Sequence, residues 1–525
     1  MADTVIVILI ALLVTTIPLV ALAKRVNISY PIVLVAGGLV LGFVPGLPKV
    51  QLDPDLVLLI FLPPLLFWES ISAPTDVMVE NASQIALLAI GLVIATTVAV
   101  AVLAHAMIPG MSWGAAFVLG AIVSPTDELA AVPVLEHFRL PRHVIAIIDG
   151  ESLLNDATAL VIYASAIAVV STGTFVPMGA LFQFFITVLG SLIVGFATAR
   201  IGAELWKRIP DPQLQGAIAI MLPFLAYVPA QRFGLSGVLA VVTAGVYVNH
   251  LSPRTMSPTA RTQVGGFWNT LTFLINAVLF LVVGLQLHDV AHAAFHSNHW
   301  ETVILYALGV NVVVIVVRVG LAVSAEYAPT TAPADHAAPD WKNALVVAWS
   351  GLRGAVSLAA ALAIPLALPN GMPFPNRDLI IFITFSVILV TLVGGGLTLP
   401  LVVKRLHIVG DTEERDELRL ALTRSAEAAL DRIDQLEEEG RIDAGHARSL
   451  RRDYEHKRDL HSGTGDDTDP AHVARHLDVE RELIAVQRRA IIELRERGEI
   501  DNVVLRRVQA DLDLASSRGA LNERN

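Results

Sequence analysis

The chain has 525 residues, of which 54% are hydrophobic and only 16% charged, a composition that excludes an ordinary soluble enzyme and indicates a polytopic membrane protein. It holds no cysteine, which removes disulfides, thiolate metal sites and cysteine nucleophiles from consideration. The net charge of −11 belongs mostly to residues 411–525, which carry 20 of the 37 basic and 28 of the 48 acidic residues, interleaved in a way that argues against a nucleic-acid partner.

The first apolar run, Val5 to Ala23, lacks a basic leader and is followed by Lys24-Arg25, so it reads as a retained span with the N-terminus outside. A bilayer core needs about 20 apolar residues per helix. Along the chain that window gives about thirteen candidate spans before His407, centred near Ala11, Val40, Ile60, Ile94, Leu119, Leu160, Ile193, Ala219, Ala240, Leu279, Val314, Ala359 and Leu389. Lys24-Arg25, Arg139 and Arg142, Lys207-Arg208, Arg254 and Arg261, Lys342 and Lys404-Arg405 then fall on one side, with Lys49, Arg232 and Arg377 as exceptions. The positive-inside rule places that side, and the tail from residue 411, in the cytoplasm of a cell whose plasma membrane the chain spans.

The fifth span is interrupted by Ser124-Pro125-Thr126-Asp127-Glu128 and the twelfth by Ser350-Gly351-Leu352-Arg353-Gly354. Broken helices are tolerated in a membrane only where the freed backbone is buried in protein or lines a cavity. The two cross in opposite senses, which predicts inverted repeats with an ion site at their junction near the midplane. The predicted fold is therefore an all-α polytopic membrane protein with two broken crossing helices, residues 1–406, followed by a helical cytoplasmic tail, residues 411–525.

Carboxylates inside hydrophobic segments are functional-site candidates by default. Asp156, in Gly150-Glu151-Ser152-Leu153-Leu154-Asn155-Asp156, is the principal one, and Asp127 the second. On a helix Ser152 and Asp156 share one line, and Glu151 and Asn155 the adjacent one. A carboxylate beside hydroxyl and carbonyl oxygens, as Asp156 is beside Ser152, suits a small hard cation, and the same carboxylate can hold a proton instead. Thr126 and Asp127 would supply oxygens from the broken fifth span. Glu151 and Arg318 are each isolated in apolar surroundings, and such lone charges are expected to pair, which makes Glu151 structural. Arg353 is read as neutralising helix C-termini rather than holding a ligand.

These motifs resemble the monovalent cation:proton antiporter-1 family, the NhaP-type antiporters and sodium/hydrogen exchangers. The resemblance runs from the second span to about Leu406. It rests on Phe61-Leu62-Pro63-Pro64-Leu65-Leu66-Phe67, Ser124-Pro125-Thr126-Asp127, Gly150 to Asp156, Gly234-Leu235-Ser236-Gly237, Arg318, Gly351-Leu352-Arg353-Gly354-Ala355-Val356-Ser357 and Gly396-Leu397-Thr398-Leu399-Pro400. It implies a homodimer with dimerisation helices and a mobile ion-binding core, in which Asp156 alternately binds cation and proton with Thr126, Asp127, Ser152 and Asn155 around it. It also implies that Glu151 and Arg318 are the stabilising ion pair and Arg353 the core arginine. Asn155, rather than Asp, before the key aspartate implies electroneutral exchange of Na+ or Li+ for H+ without a cofactor. Two departures stand out: Glu128 follows Asp127, and Trp68 takes the place where relatives often have an acid, with Glu69 one position later, so Glu69 is not expected to be a ligand.

His288, His292, His296 and His299 recur at helical spacing at the outer end of the tenth span and read as a wet histidine-rich loop rather than a metal site. In the tail, Gly440-Arg441-Ile442-Asp443 and Gly498-Glu499-Ile500-Asp501 predict two helical hairpins separated by the linker His461 to Pro470, with no assignable partner. The alternatives to a sodium/proton antiporter are a potassium/proton antiporter and a non-transporting cation sensor with the tail as output. A channel is a further option; a membrane hydrolase lacks both a His-Glu-x-x-His and a Gly-x-Ser-x-Gly motif.

Overall fold

A computed structural model describes residues 2–26, 28–44, 57–127, 131, 135, 138, 140–172, 177–297, 299–327, 340–406, 408 and 413–462, with scattered positions beyond. Among these the regular secondary structure is helical, with turns and irregular segments between the helices and one isolated bridge between Ala367 and Pro373. The helices are α1 (Ala2–Val26), α2 (Tyr30–Gly42), α3 (Leu62–Ser72), α4 (Thr75–Glu80), α5 (Ala82–Met107), α6 (Trp113–Val123), α7 (Arg142–Thr172), α8 (Pro177–Arg208) and α9 (Pro212–Arg232). They continue with α10 (Gly237–Thr255), α11 (Pro258–Ser297), α12 (Trp300–Glu326), α13 (Trp341–Trp349), α14 (Ala355–Leu362), α15 (Arg377–Leu406), α16 (Glu413–Glu438) and α17 (Ala444–Ser462). Wide π turns precede α3 at Val57–Phe61 and lie within α5 at Leu87–Leu92 and within α15 at Val390–Gly395.

Every expected span centre falls in a helical segment. Among the described residues seven helices are long and apolar enough to cross a membrane, and Tyr30–Gly42, Leu59–Ser72 and Trp113–Val123 are shorter apolar helices. Length alone thus accounts for fewer crossings than thirteen. The fifth and twelfth spans fall short because their helices stop at Val123 and Trp349.

Polar caps set several helix starts: Ser112 accepts from Ala115 N–H, Asp211 from Gln213 and Leu214, Ser236 from Leu239 and Asp340 from Lys342. Inside the bilayer region small residues let backbones approach, since lipid offers no hydrophobic drive between helices. A Cβ on Gly38 of α2 would strike the Leu281 carbonyl of α11, and one on Gly284 of α11 would strike the Val35 carbonyl of α2. Gly245 likewise brings α10 onto α3 at Ser70, and Gly120 brings α6 onto α5 at Thr97.

The chain divides into two compact units, Met1–Gly410 and Asp411–Asn525. In the second, α16 ends at Gly440 (φ 69°), whose left-handed conformation lets Arg441 N–H bond back to Leu436 O at 3.0 Å. Asp443 then opens α17 by accepting from Gly445 and His446 N–H at 2.8 and 2.9 Å. Arg451 ties the hairpin together through Asp434 at 2.5 Å and Glu437 at 3.1 Å. Gly498 to Asp501, and most of the linker before that second hairpin, lie outside the described residues. The histidine-rich stretch is not a loop: α11 continues to Ser297, with His292 exposed on it.

Candidate functional site

The two interrupted segments meet. Beyond Val123 the chain leaves helical geometry through Ser124 to Asp127, and beyond Trp349 it does so through Ser350 to Gly354 before α14 begins. Asp127 N–H donates to Leu352 O at 2.7 Å, joining the two stretches. Glycines make this possible: a Cβ on Gly351 would press into the Arg318 guanidinium, and one on Gly354 would overlap the Asp127 carboxylate. Gly354 is also the N-cap of α14, so the Asp127 carboxylate lies at the positive end of that helix dipole.

Each broken helix ends in carbonyls that its own chain cannot satisfy. Arginines from the opposite element supply the donors. Arg353 donates through Nε to Val123 O at 3.2 Å, at the end of α6, and through Nη1 to Gly351 O at 2.5 Å. Arg318, from α12, donates through Nη2 to Val347 O at 2.7 Å and through Nε to Ala348 O at 3.4 Å, at the end of α13. Its Nη1 is paired with Glu151 Oε1, both side chains being almost fully buried.

From α7, Glu151, Ser152 and Asn155 reach Thr126. The Thr126 hydroxyl donates to Glu151 Oε1 at 3.0 Å and accepts from Asn155 Nδ2 at 2.7 Å. The Ser152 hydroxyl donates to Thr126 O at 3.2 Å, across helices rather than back into α7. One turn on, Asp156 is 4% exposed, and among the described residues no basic side chain pairs with it. Asp127, partly exposed, lies within its electrostatic range.

The structure thus brings Asp156, Asp127, Thr126, Ser152 and Asn155 to one place, with the Glu151–Arg318 pair and Arg353 behind them. Ser152 spends its hydroxyl hydrogen on Thr126 O, which leaves the oxygen lone pairs for a cation. Glu128 lies outside the described residues. Glu69 of α3, which the sequence reading set aside as a ligand, is partly buried and within electrostatic range of Asp156, Asp127 and also Asp149. The signal available was the buried neighbour Phe67, whose ring packs on Trp268 at 5.8 Å; with Phe67 turned to α11, Glu69, two residues on, turns elsewhere. Among the described residues no three His, Asp or Glu side chains are grouped to hold a resident metal ion.

The sequence pattern of the family described as "Sodium/hydrogen exchanger, transmembrane" matches residues 8–405. An uncharacterized Na+/H+ exchanger of Mycobacterium bovis is 36% identical over 520 residues, covering 97% of this chain and 95% of that protein. A sodium, potassium, lithium and rubidium/H+ antiporter of Bacillus subtilis is 32% identical over 399 residues, covering 73% of this chain and 60% of that protein. In fold, the chain is similar to the solved sodium proton antiporter of Methanocaldococcus jannaschii, with a TM-score of 0.59 at 19% identity over 77% of this chain and 99% of that one. The motifs, the crossed broken helices and these matches agree: the chain belongs to the sodium/hydrogen exchanger family of multi-pass membrane antiporters.

Proposed function

We propose that the chain exchanges Na+ or Li+ for H+ across the plasma membrane by alternating access, with Asp156 as the group that binds either ion and Asp127, Thr126, Ser152 and Asn155 around it. The observation that carries this reading is the burial of Asp156, with no basic partner among the described residues, beside two broken helices. A buried carboxylate lacking a counter-charge is costly, so it must take a cation or a proton from outside, and the two exclude each other. Glu69 and Asp127 lie within electrostatic range of Asp156 and add negative charge that favours a cation there. Asn155 in place of a second acid supports one proton per cation. Glu151, Arg318 and Arg353 hold the crossing together and carry no ion. The working unit is a homodimer, with residues 1–406 in the membrane, the N-terminus outside and the tail in the cytoplasm.

A broader alkali-cation range, K+ included, is the second reading, favoured by the name of the Bacillus subtilis relative. The family match leaves no support for a non-transporting sensor. The test is exchange in proteoliposomes with a lumenal pH dye, adding Na+, Li+ or K+ in turn with and without a potential clamp. Dequenching by Na+ and Li+, unaffected by the clamp and lost in Asp156→Asn while the variant still inserts, is the expected result. Exchange retained in Asp156→Asn overturns the mechanism.

A further inference from the structure

Two buried polar groups lie outside the crossing and have no part in the exchange just described. Asn276, near the middle of the 40-residue α11, is 1% exposed, and its Oδ1 has no hydrogen-bond partner among the described residues. Ser357 of α14 is 2% exposed, and its Oγ is equally without one. The two helices that carry them pack against each other. Buried polar groups in native structures are nearly always satisfied, and at membrane depth an unsatisfied one is especially costly. An unsatisfied buried oxygen on each of two adjoining helices is a group that water or an ion can satisfy.

Asn276 is also the end of a stripe. Trp268, Thr272 and Asn276 follow at four-residue spacing on one face of α11, all buried, and the indole Nε1 of Trp268 has no acceptor either. Trp268 belongs to the same apolar cluster as Phe67 of α3 and as Leu153 and Ala157, which bracket Asp156 on α7. From there the stripe climbs about 12 Å along α11 to Asn276. Ser357 lies one turn beyond Gly354, against which the Asp127 carboxylate rests. Ser357 thus lies on the helix that abuts Asp127, and Asn276 on one that packs against that helix and against α3, which carries Glu69, yet neither oxygen joins the hydrogen-bond network of the site.

We propose that Asn276 and Ser357 form a second, neutral station beside the carboxylates, where an alkali cation that keeps part of its water shell is held by an amide and a hydroxyl oxygen on its way to or from Asp156. Oxygen donors of this kind suit hard alkali cations. Neither group titrates near neutral pH, so the station discriminates among cations without competing for the proton. That separates it from the carboxylates, where cation and proton share one site. The inference rests on the antiport reading above.

The experiment uses the full chain in proteoliposomes, wild type beside Asn276→Ala, Asn276→Ser and Ser357→Ala, with Na+, Li+ and K+ as probes over a range of pH. Asn276→Ala and Ser357→Ala should raise the apparent KM for the transported cation about tenfold and change the ranking of the three cations. The maximal rate should stay within about twofold and the pH midpoint should not move; Asn276→Ser, which restores an oxygen, should recover part of the affinity. Ser357→Ala removes a single atom and keeps the test open if Asn276→Ala does not fold. A KM and cation ranking equal to wild type in both alanine variants, or a lost rate at unchanged KM, overturns the station while leaving antiport intact. A wild type that exchanges no cation overturns the antiport reading, and the station with it.

Discussion

The buried pair of Glu151 and Arg318 can be taken apart one charge at a time. Glu151 Oε1 accepts from Arg318 and, at 3.0 Å, from the Thr126 hydroxyl. Arg318 also serves Val347 O and Ala348 O, so it has duties that Glu151 does not share. Removing one member of a buried pair costs ~3–5 kcal/mol, because the other charge is left uncompensated. Glu151→Gln belongs at the lower end of that range, since the amide still accepts from Thr126 and the guanidinium keeps its two carbonyls. Arg318→Met leaves a buried carboxylate and also strips the end of α13 of two donors, at ~1 kcal/mol each, so it belongs above that range or at its top. The double variant Glu151→Gln/Arg318→Met buries no unpaired charge and should cost less than the sum of the singles by ~3 kcal/mol, the whole cost of Glu151→Gln. Thermal unfolding of the purified protein in detergent checks the order: wild type, then Glu151→Gln, then Arg318→Met, with the double variant no lower than Arg318→Met. Strictly additive effects, or a Glu151→Gln variant that melts with wild type, would refute the reasoning.

Gly354→Ala drives a Cβ into the Asp127 carboxylate and should slow exchange on the order of 100-fold, whereas Gly266→Ala, which meets nothing within 4 Å, should not; equal initial rates in the two variants would remove Asp127 from the site. In the tail, backbone N–H groups of His446 and then Gly445 hold the Asp443 carboxyl below the usual carboxylate range. A carboxyl depressed by folding stabilises above its unfolded value of about 3.9, and that contribution disappears as pH falls through the lower folded value. Amide exchange at residues 444–450 should therefore be protected at pH 5 to 7 in wild type, and faster in Asp443→Ala over that range; identical protection in the two at pH 6 would show that the cap is not made.

The sequence disclosed the polar residues within apolar runs, and with them the crossing: Asp127, Asp156 and the Gly351–Gly354 break are visible because charge and glycine are out of place in a span. It also disclosed that Glu151 and Arg318 need each other. What it could not disclose is which lone pairs are used. Ser152 has the option of bonding back to α7, and only the approach of Thr126 O decides for the contact across helices. Glu69 was set aside for a related reason: the direction it takes depends on the rotation of α3, to which the packing of Phe67 on Trp268 contributes. The first tail hairpin was legible because Gly440 and Asp443 are local signals, each acting within a few residues.

A discontinuous helix exposes negative carbonyl ends in the membrane, and the crossing has two of them. Both receive an arginine: Arg353 at Val123 O and Arg318 at Val347 O and Ala348 O, with Arg318 further neutralised by Glu151. The buried arginines Arg353 and Arg318, near the ion site proposed at Asp156, are therefore already committed to holding the fold. Had either been free to reach Asp156, a permanent salt bridge would satisfy that carboxylate, and neither a cation nor a proton would have reason to bind it. By fixing the arginines on backbone carbonyls, the crossed helices leave Asp156 buried with no basic partner among the described residues. Exchange at one carboxylate requires that condition: whichever ion enters must be able to leave, and the empty anion must be unstable enough to take the next.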